Sequence, residues 1–441
     1  MEAREQRAYL KRQIALRGFP SLSLTLNIPG FPKSNTVVNA FFEYCLRDFG
    51  YFMKANLVSL IDKDAIKGCD AAGDFYIVPF SQGILSLQSI KQYCEEFEQS
   101  HTLGRFVDAD LNGLDGVSVS SGKSKICFFC LERPAIDCRR EQVHEPEELR
   151  SFMFPKMESF NLQKRQDEFV RKLSSFALQA ILVEISLTPK PGLVDRFSNG
   201  SHLDMNFRTF LYSSSAIMPW FSELVLVGIA FDKSELTLAL PLIRKIGLKM
   251  ESAMNDATGN INTQKGIIFL LGISLFACGT LFSRNIKFKI EDFREFVRSC
   301  CKDIVSNELN NQLFLEKSHG ADIFRLYGIS GARGEVESGF ATVFDYGLPQ
   351  LAEIDQINDE ALMKCFIAIA ANNQDTNILY RTNPEVLENF QKLCKSALED
   401  FSAANYSSVI DFCKTNNISP GGSADLLAVT IFVWSVIRAD L

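Results

Sequence analysis

The chain has 441 residues, more than one hydrophobic core usually holds, which predicts two or more domains. Apolar residues make up 46% and charged residues 22%, the balance of a folded globular protein, and 37 phenylalanines predict an aromatic interior. A net charge of −7 with no long basic tract argues against nucleic acid or an anionic membrane as partner and leaves small anionic ligands open.

The charged, amphipathic start MEAREQRAYLKRQ has no apolar leader core, so a cytoplasmic protein is expected, and its twelve scattered cysteines read as reduced thiols. SLSLTLNI then alternates, with Leu22, Leu24, Leu26 and Ile28 on one side and Ser21, Ser23, Thr25 and Asn27 on the other. It predicts a half-buried strand ended by Pro29-Gly30. Helices are expected over 36–62 and 87–99, and strands over Asp74–Phe80 and Arg105–Leu111. The turn signals Asn112-Gly113 and Asp115-Gly116 precede a candidate strand at Val117.

Phe154–Leu162, which holds Pro155, reads as the linker before the first long helix. Beyond it the pattern is helical, opening with the apolar face Phe169, Leu173, Phe176, Ala180 and Ile181. Further helices are expected near 207–229, 234–257, 262–282, 290–306, 355–373, 385–400 and 423–438. The uncharged run Gly266–Ser283 approaches membrane-spanning length, but Gly272, Ser274, Gly279 and Thr280 interrupt it and no second comparable span stands out. It reads as a buried helix. The expected fold is therefore multidomain: an N-terminal α+β domain over 1–158, followed by a larger all-α domain over 163–441.

Within GRFVDADL, strand alternation places Phe106, Asp108 and Asp110 on one face and Val107, Ala109 and Leu111 on the other. Two carboxylates so spaced can share a hard cation such as Mg²⁺, with Arg105 beside them for a phosphate, as nucleotidyl transfer requires. A solvent-facing strand edge has the same spacing. Cys127-x2-Cys130-x7-Cys138-x5-His144 offers three thiolates and an imidazole to a tetrahedral structural zinc; unligated loop thiols are the alternative.

In the helical part, EISLTPKPGLVDRFSNGSHLDMN at 184–206 must leave its helix, because Pro189 and Pro191 cannot lie inside one. The resulting loop carries Lys190, Asp195, Arg196, His202 and Asp204, groups suited to phosphates and a divalent metal, although a plain interhelical loop has similar composition. Glu184 falls in the last turn of its helix, where the macrodipole disfavours an acid, so a ligand or metal is expected to offset it; an exposed or arginine-paired surface residue is the alternative. Gly421, Gly422 and Ser423 precede a helix whose first N–H groups can bind phosphate. Asp425 just beyond them also fits an ordinary dipole-compensating acid.

NIPGFPK at 27–33, TLGRFVDADL at 102–111 and CFFCLERPAIDCRREQVHEPEEL at 127–149 resemble the citrate lyase holo-acyl-carrier-protein synthase family. That family attaches phosphoribosyl-dephospho-CoA to a serine of the lyase's acyl carrier protein, the γ subunit, and releases pyrophosphate. The resemblance implies Asp108 and Asp110 as metal ligands and Lys33 and Arg105 as holders of the triphosphate.

EISLTPKPGLVDRFSNGSHLDM at 184–205, ATGNINTQKG at 257–266, YGISGARGEVESGF at 327–340, QDTNILYR at 374–381 and SPGGSADLLA at 419–428 resemble the triphosphoribosyl-dephospho-CoA synthase family. This chain has Asn260 where that family usually has glycine, and Gln264 where it has histidine. The implied reaction joins ATP and 3′-dephospho-CoA: the 2′-hydroxyl attacks the anomeric carbon of ATP's ribose and adenine leaves. Lys190, Arg196, Lys265 and Arg333 are then implied for the triphosphate, with Gly421, Gly422 and Ser423 for phosphate. Glu184, Asp204, Glu335 and Asp375 are implied as catalytic acids, and Asp195 and Asp375 for Mg²⁺. His319 reads as structural.

Together the resemblances imply a bifunctional enzyme that builds and installs the citrate lyase prosthetic group. The alternatives are a non-catalytic, zinc-stabilised assembly factor and the equivalent enzyme for malonate decarboxylase.

Overall fold

The computed structural model describes residues 2–120, 122, 125–309 and 319–440. The chain divides into two compact units, Met1–Asp167 and Glu168–Leu441.

The first unit is built on an antiparallel sheet of β1 (Ser21–Leu26), β2 (Ser59–Leu60), β3 (Ile66–Asp70), β4 (Gly73–Ser81) and β5 (Val107–Asn112), with β1 between β4 and β5 and with β2 and β3 both paired to β4. Leu22 and Leu24 are fully buried against the helices Thr36–Ala55 and Leu87–Ser100, as their alternation predicts. The opposite face differs from expectation. Ser21 and Ser23 are only 1% and 4% exposed, because the helix Glu2–Leu16 covers that side and packs Ile14 on Phe75 and Ile77. Asn112 donates to Ser21 O and Ser23 Oγ, each at 3.3 Å, while the buried Ser21 hydroxyl has no hydrogen-bond partner among the described residues.

Three boundaries also differ. The helix expected over 36–62 ends at Ala55, where Asn56 caps it and Leu57 turns left-handed at φ 62°. The strand expected from Arg105 begins at Val107, since Gly104–Phe106 forms a 3₁₀ turn. A Cβ at position 104 would collide with the Glu98 carbonyl, so only glycine allows that turn. The turn also sends Phe106 into the core with Val107 and Ala109, not to the face of Asp108 and Asp110. At Val117 only a single bridge forms, between Asn112 and Ser118.

The stretch expected as a linker, Phe154–Leu162, lies inside one continuous helix, Pro146–Ser186. Met153 and Met157, one turn apart, are buried in the core of the first unit while Pro155 faces outward, so packing holds the helix through the proline. Its later residues, including Leu173, Ala177 and Ala180, belong to the core of the second unit.

The second unit is helical. At its centre runs Lys265–Ser283, whose Ser274 and Thr280 hydroxyls donate to Leu270 O and Phe276 O and so bury polar atoms without loss. Contrary to the expectation of a single long apolar run, three helical stretches are long and apolar enough to cross a membrane: Phe207–Ile229, Lys265–Ser283 and Gly421–Arg438. In this fold 78% of the most apolar window of Lys265–Ser283 is buried, as a core helix requires. The helices His319–Tyr327, Gly331–Glu337 and Ala403–Thr415 were not anticipated by periodicity.

Candidate functional site

Asp108 and Asp110 share one face of β5, opposite Thr25 and Ser23 of β1. On the other edge of β5, the Ala109 N–H donates to buried Glu98 at 2.8 Å. Lys125 Nζ bridges Glu98 and Asp108 at 2.7 and 3.0 Å, and Lys91 Nζ donates to Asp110 at 3.0 Å. Burial lowers the Lys11 pKa, and the nearby charges of Asp110 and Asp108 oppose that shift. Burial likewise raises Glu98 against the pull of Lys125. Three lysines missed by the sequence reading thus stand at the expected pair. The two expected cations are held by backbone: Arg105 donates to Ile126 O, one residue from Lys125, and Lys33 donates to Ile28 O at 2.5 Å. Burial and the cations Arg4, Arg150 and Arg139 keep the Lys33 pKa down.

Cys127, Cys130, Cys138 and His144 do converge, with their ligand atoms within 4.8 Å of one another. Cys127 begins a tight turn, closed by Leu131 N–H to Cys127 O, and Cys138 sits on the short helix Ala135–Arg140. The Cys130 and Cys138 sulfurs are 3.7 Å apart, and a tetrahedral ion with Zn–S bonds of about 2.3 Å sets its sulfurs ~3.8 Å apart. His144 Nε2 is buried with no hydrogen-bond partner among the described residues. A backbone hydrogen bond at Glu132 leads the effects that bring the Cys130 thiol down to about 6.

In the second unit Lys190 Nζ meets Glu184 at 2.7 Å, and the two residues are 5% and 7% exposed. The lysine therefore offsets the acid that the helix C-terminus disfavours. The loop is folded back by Asp195, whose Oδ2 accepts the Lys190 N–H and whose Oδ1 accepts the Phe197 and Ser198 N–H groups. Asp195, expected as a metal ligand, thus has both oxygens engaged by backbone. Asp375 caps the helix Thr376–Arg381 and accepts the Ser423 N–H and hydroxyl at 2.8 and 2.9 Å, so that N–H serves the carboxylate in place of the expected phosphate. Burial raises the Asp375 pKa, opposed by these bonds.

Asp425, half a turn beyond Ser423 on the helix Gly421–Arg438, lies within electrostatic range of Glu184 and Asp375. Burial, then the charges of Glu184 and Asp375, hold its carboxyl well above the usual carboxylate range. It is part-buried, with no hydrogen-bond partner among the described residues. The start of the central helix makes room for it, because a Cβ at Gly266 would collide with Asp425 Oδ2. Gly266→Ala is expected to lower unfolding free energy by about 1–3 kcal/mol and to displace Asp425, measured by denaturant unfolding.

Other expected residues have different partners. Glu335 accepts the Thr342 N–H and hydroxyl, and its nearby charges are Asp345 and Arg294. The Asp204 side chain is 61% exposed, 3.8 Å from His202 Nδ1. His202 Nε2 meets Ser419 Oγ at 2.8 Å, tying the loop to the segment before Gly421. Lys265 pairs with Glu251 at 2.9 Å and Arg333 with Glu308 at 2.8 Å. His319 stacks on Tyr380, as a structural histidine would. The two departures from the family pattern have local reasons. Asn260 adopts a left-handed φ of 67°, which asparagine tolerates after glycine best, and buried Gln264 bonds Ser213 and Ser214.

Residues 1–160 match the family model for apo-citrate lyase phosphoribosyl-dephospho-CoA transferase (CitX), and residues 170–440 match that for ATP:dephospho-CoA triphosphoribosyl transferase (CitG). The chain belongs to both families, joined in one polypeptide. It is 30% identical to protein CitXG of Haemophilus influenzae, over 99% of this chain and 95% of that protein. To CitXG of Leuconostoc mesenteroides subsp. cremoris it is 29% identical, over 99% and 96%. A probable 2-(5''-triphosphoribosyl)-3'-dephosphocoenzyme-A synthase of Photobacterium profundum is 35% identical over 60% of this chain and 87% of the relative. As a CitX–CitG member the chain is a bifunctional transferase of citrate lyase prosthetic-group biosynthesis, with the apo-lyase as acceptor and ATP and dephospho-CoA as substrates.

Proposed function

We propose that the two units are separately folding cytoplasmic domains acting in series, each with its chemistry at the carboxylates described above. The observation that supports this most is the buried Glu184–Lys190 ion pair in the CitG unit, with the charges of Glu184 and Asp375 both acting on Asp425.

In that unit the ion-paired Glu184 takes the proton of the 2′-hydroxyl of dephospho-CoA as its oxygen attacks the anomeric carbon of ATP. Asp425, which burial keeps protonated to higher pH, donates to the departing adenine; such a divergent carboxylate pair suits acid and base roles. Of the cations assigned to the triphosphate, Lys190, Lys265 and Arg333 are engaged by carboxylates, which leaves Arg196. Asp375, expected for Mg²⁺, has Oδ1 on the Asn377 N–H and Oδ2 on Ser423, so it braces the site.

In the CitX unit, Lys91 and Lys125 bind the triphosphate of the intermediate, and Asp108 or Asp110 takes the proton from the carrier serine. The serine oxygen bonds to the phosphorus next to the ribose and pyrophosphate leaves. Each of these carboxylates has an Oδ2 without a hydrogen bond among the described residues, a donor pair that also fits Mg²⁺.

The test is to incubate the full chain with ATP and dephospho-CoA, assaying adenine and pyrophosphate separately, with and without the lyase acyl carrier protein. Adenine should form in both cases and pyrophosphate only with the carrier. Neither product with all components present would sink the reading. Presenting the malonate decarboxylase carrier in parallel decides the acceptor.

We also assign the Cys127, Cys130, Cys138 and His144 cluster to structural Zn²⁺, on the strength of its donor set and the orphaned imidazole nitrogen. A single zinc per chain is expected by elemental analysis. Cys138→Ser should lose it and lower the unfolding temperature of the CitX unit while adenine release continues. A wild-type chain purified without chelator and free of zinc would refute the assignment.

A further inference from the structure

A concavity of about 380 Å³ opens beside the loop after Glu184, lined by Asp195, Arg196, Phe197, Asn199, Asn206 and Arg208. Neither the Arg196 nor the Arg208 guanidinium has a carboxylate partner among the described residues, unlike Lys190, Lys265 and Arg333. The one acid in the wall, Asp195, is buried with both oxygens accepting backbone N–H groups, and it forms no ion pair with either guanidinium. Phe197 is 86% exposed beside Arg196, whose guanidinium lies 5.9 Å from the ring centroid. The walls are held in place on both sides. Asp195 braces the loop, and Asn206 and Thr209 form a capping box under Arg208. Two unpaired guanidiniums and an exposed aromatic face around one cavity are complementary to a purine nucleotide polyphosphate. The Lys190 N–H to Asp195 bond links this wall to the Glu184–Lys190 pair.

We propose that this pocket binds the polyphosphate of an adenine nucleotide through Arg196 and Arg208, with Phe197 packing against the bound nucleotide. Arg208 lies outside the motifs that the sequence singles out. The inference rests on the second unit being the ATP-using half. Two substrates carry this chemistry, the triphosphate of ATP and the diphosphate of dephospho-CoA.

The experiment follows adenine release by the full chain with each nucleotide varied in turn, for wild type, Arg208→Gln and Phe197→Leu, and uses inorganic triphosphate as inhibitor. Arg208→Gln should raise KM for one nucleotide about 10- to 100-fold with kcat within about twofold. The Ki of triphosphate should rise by the same factor. A response in the ATP KM places the triphosphate of ATP in the pocket; a response in the dephospho-CoA KM places its diphosphate there. Both side chains of the arginine pair are exposed, so the unfolding temperature should hold. Unchanged KM values and an unchanged triphosphate Ki, or a loss confined to kcat, overturn the proposal. Calorimetric binding of triphosphate that depends on Arg208, in a chain that releases no adenine, would uphold the pocket and sink the functional reading.

Discussion

Asp425→Asn is expected to cut adenine release from ATP and dephospho-CoA by about 10²- to 10⁴-fold, the usual worth of a positioned general acid. Transfer of supplied triphosphoribosyl-dephospho-CoA to the acyl carrier protein should be unaffected, because that step uses the other unit. The reason lies in the surroundings of Asp425. Burial and the charges of Glu184 and Asp375 favour its protonated form, and Gly266 keeps space for it.

Asparagine keeps the shape and loses the proton, so a folding defect is not the expected cause of the loss. The pH dependence has a definite sign. A carboxyl whose folded pKa is raised costs nothing below the unfolded value of about 4 and costs stability as pH climbs toward the raised value. The variant should therefore match wild type in acid and gain on it near neutrality, while wild-type adenine release falls as pH rises through the raised pKa. A variant that loses activity and stability together at every pH would point to a packing role only.

Asp108→Asn should produce the reverse pattern. Pyrophosphate release and carrier labelling from supplied intermediate should fall by about 10²-fold or more, and adenine release from ATP should stay at the wild-type rate. Asp108 is half-exposed, and its Lys125 partner also holds Glu98, so the fold does not depend on the carboxylate. Stopped-flow or gel-shift assays of the carrier would measure the loss. If labelling persisted at the wild-type rate, the chemistry of the CitX unit would have to sit elsewhere. The two variants mixed together should regain the overall reaction, since each supplies the half that the other lacks.

Much of this was legible before any coordinates. Asp108 and Asp110 do share a face, because strand alternation is a local property of the backbone. The Cys and His spacing predicted a cluster that forms; Glu184, for which a ligand or metal was expected, is paired with Lys190. What the sequence could not show was mostly pairing across distance. Arg105 and Lys33 read as phosphate ligands but rest on carbonyls, and Asp195 read as a metal ligand but organises its own loop. Asp425 was passed over because an acid in a first helical turn already has a local explanation. The signal that could have raised it was its setting: a lone carboxylate opening one of the most apolar helices in the chain, directly after Gly421, Gly422 and Ser423. Pro155 misled for the related reason that a proline's local cost says nothing about the packing of Met153 and Met157 around it.

From sequence alone came the α+β start and helical remainder, the strand faces, the break at Pro189 and Pro191 and the thiol spacing, all of which depend on residues within a few positions of one another. Only the tertiary structure decided which acids come within electrostatic range of one another. Glu184, Asp375 and Asp425 come from three distant helix ends, and their approach depends on how those helices cross and on the missing side chain of Gly266. Such crossings are set by the summed packing of the whole helical core, which no short stretch of sequence encodes.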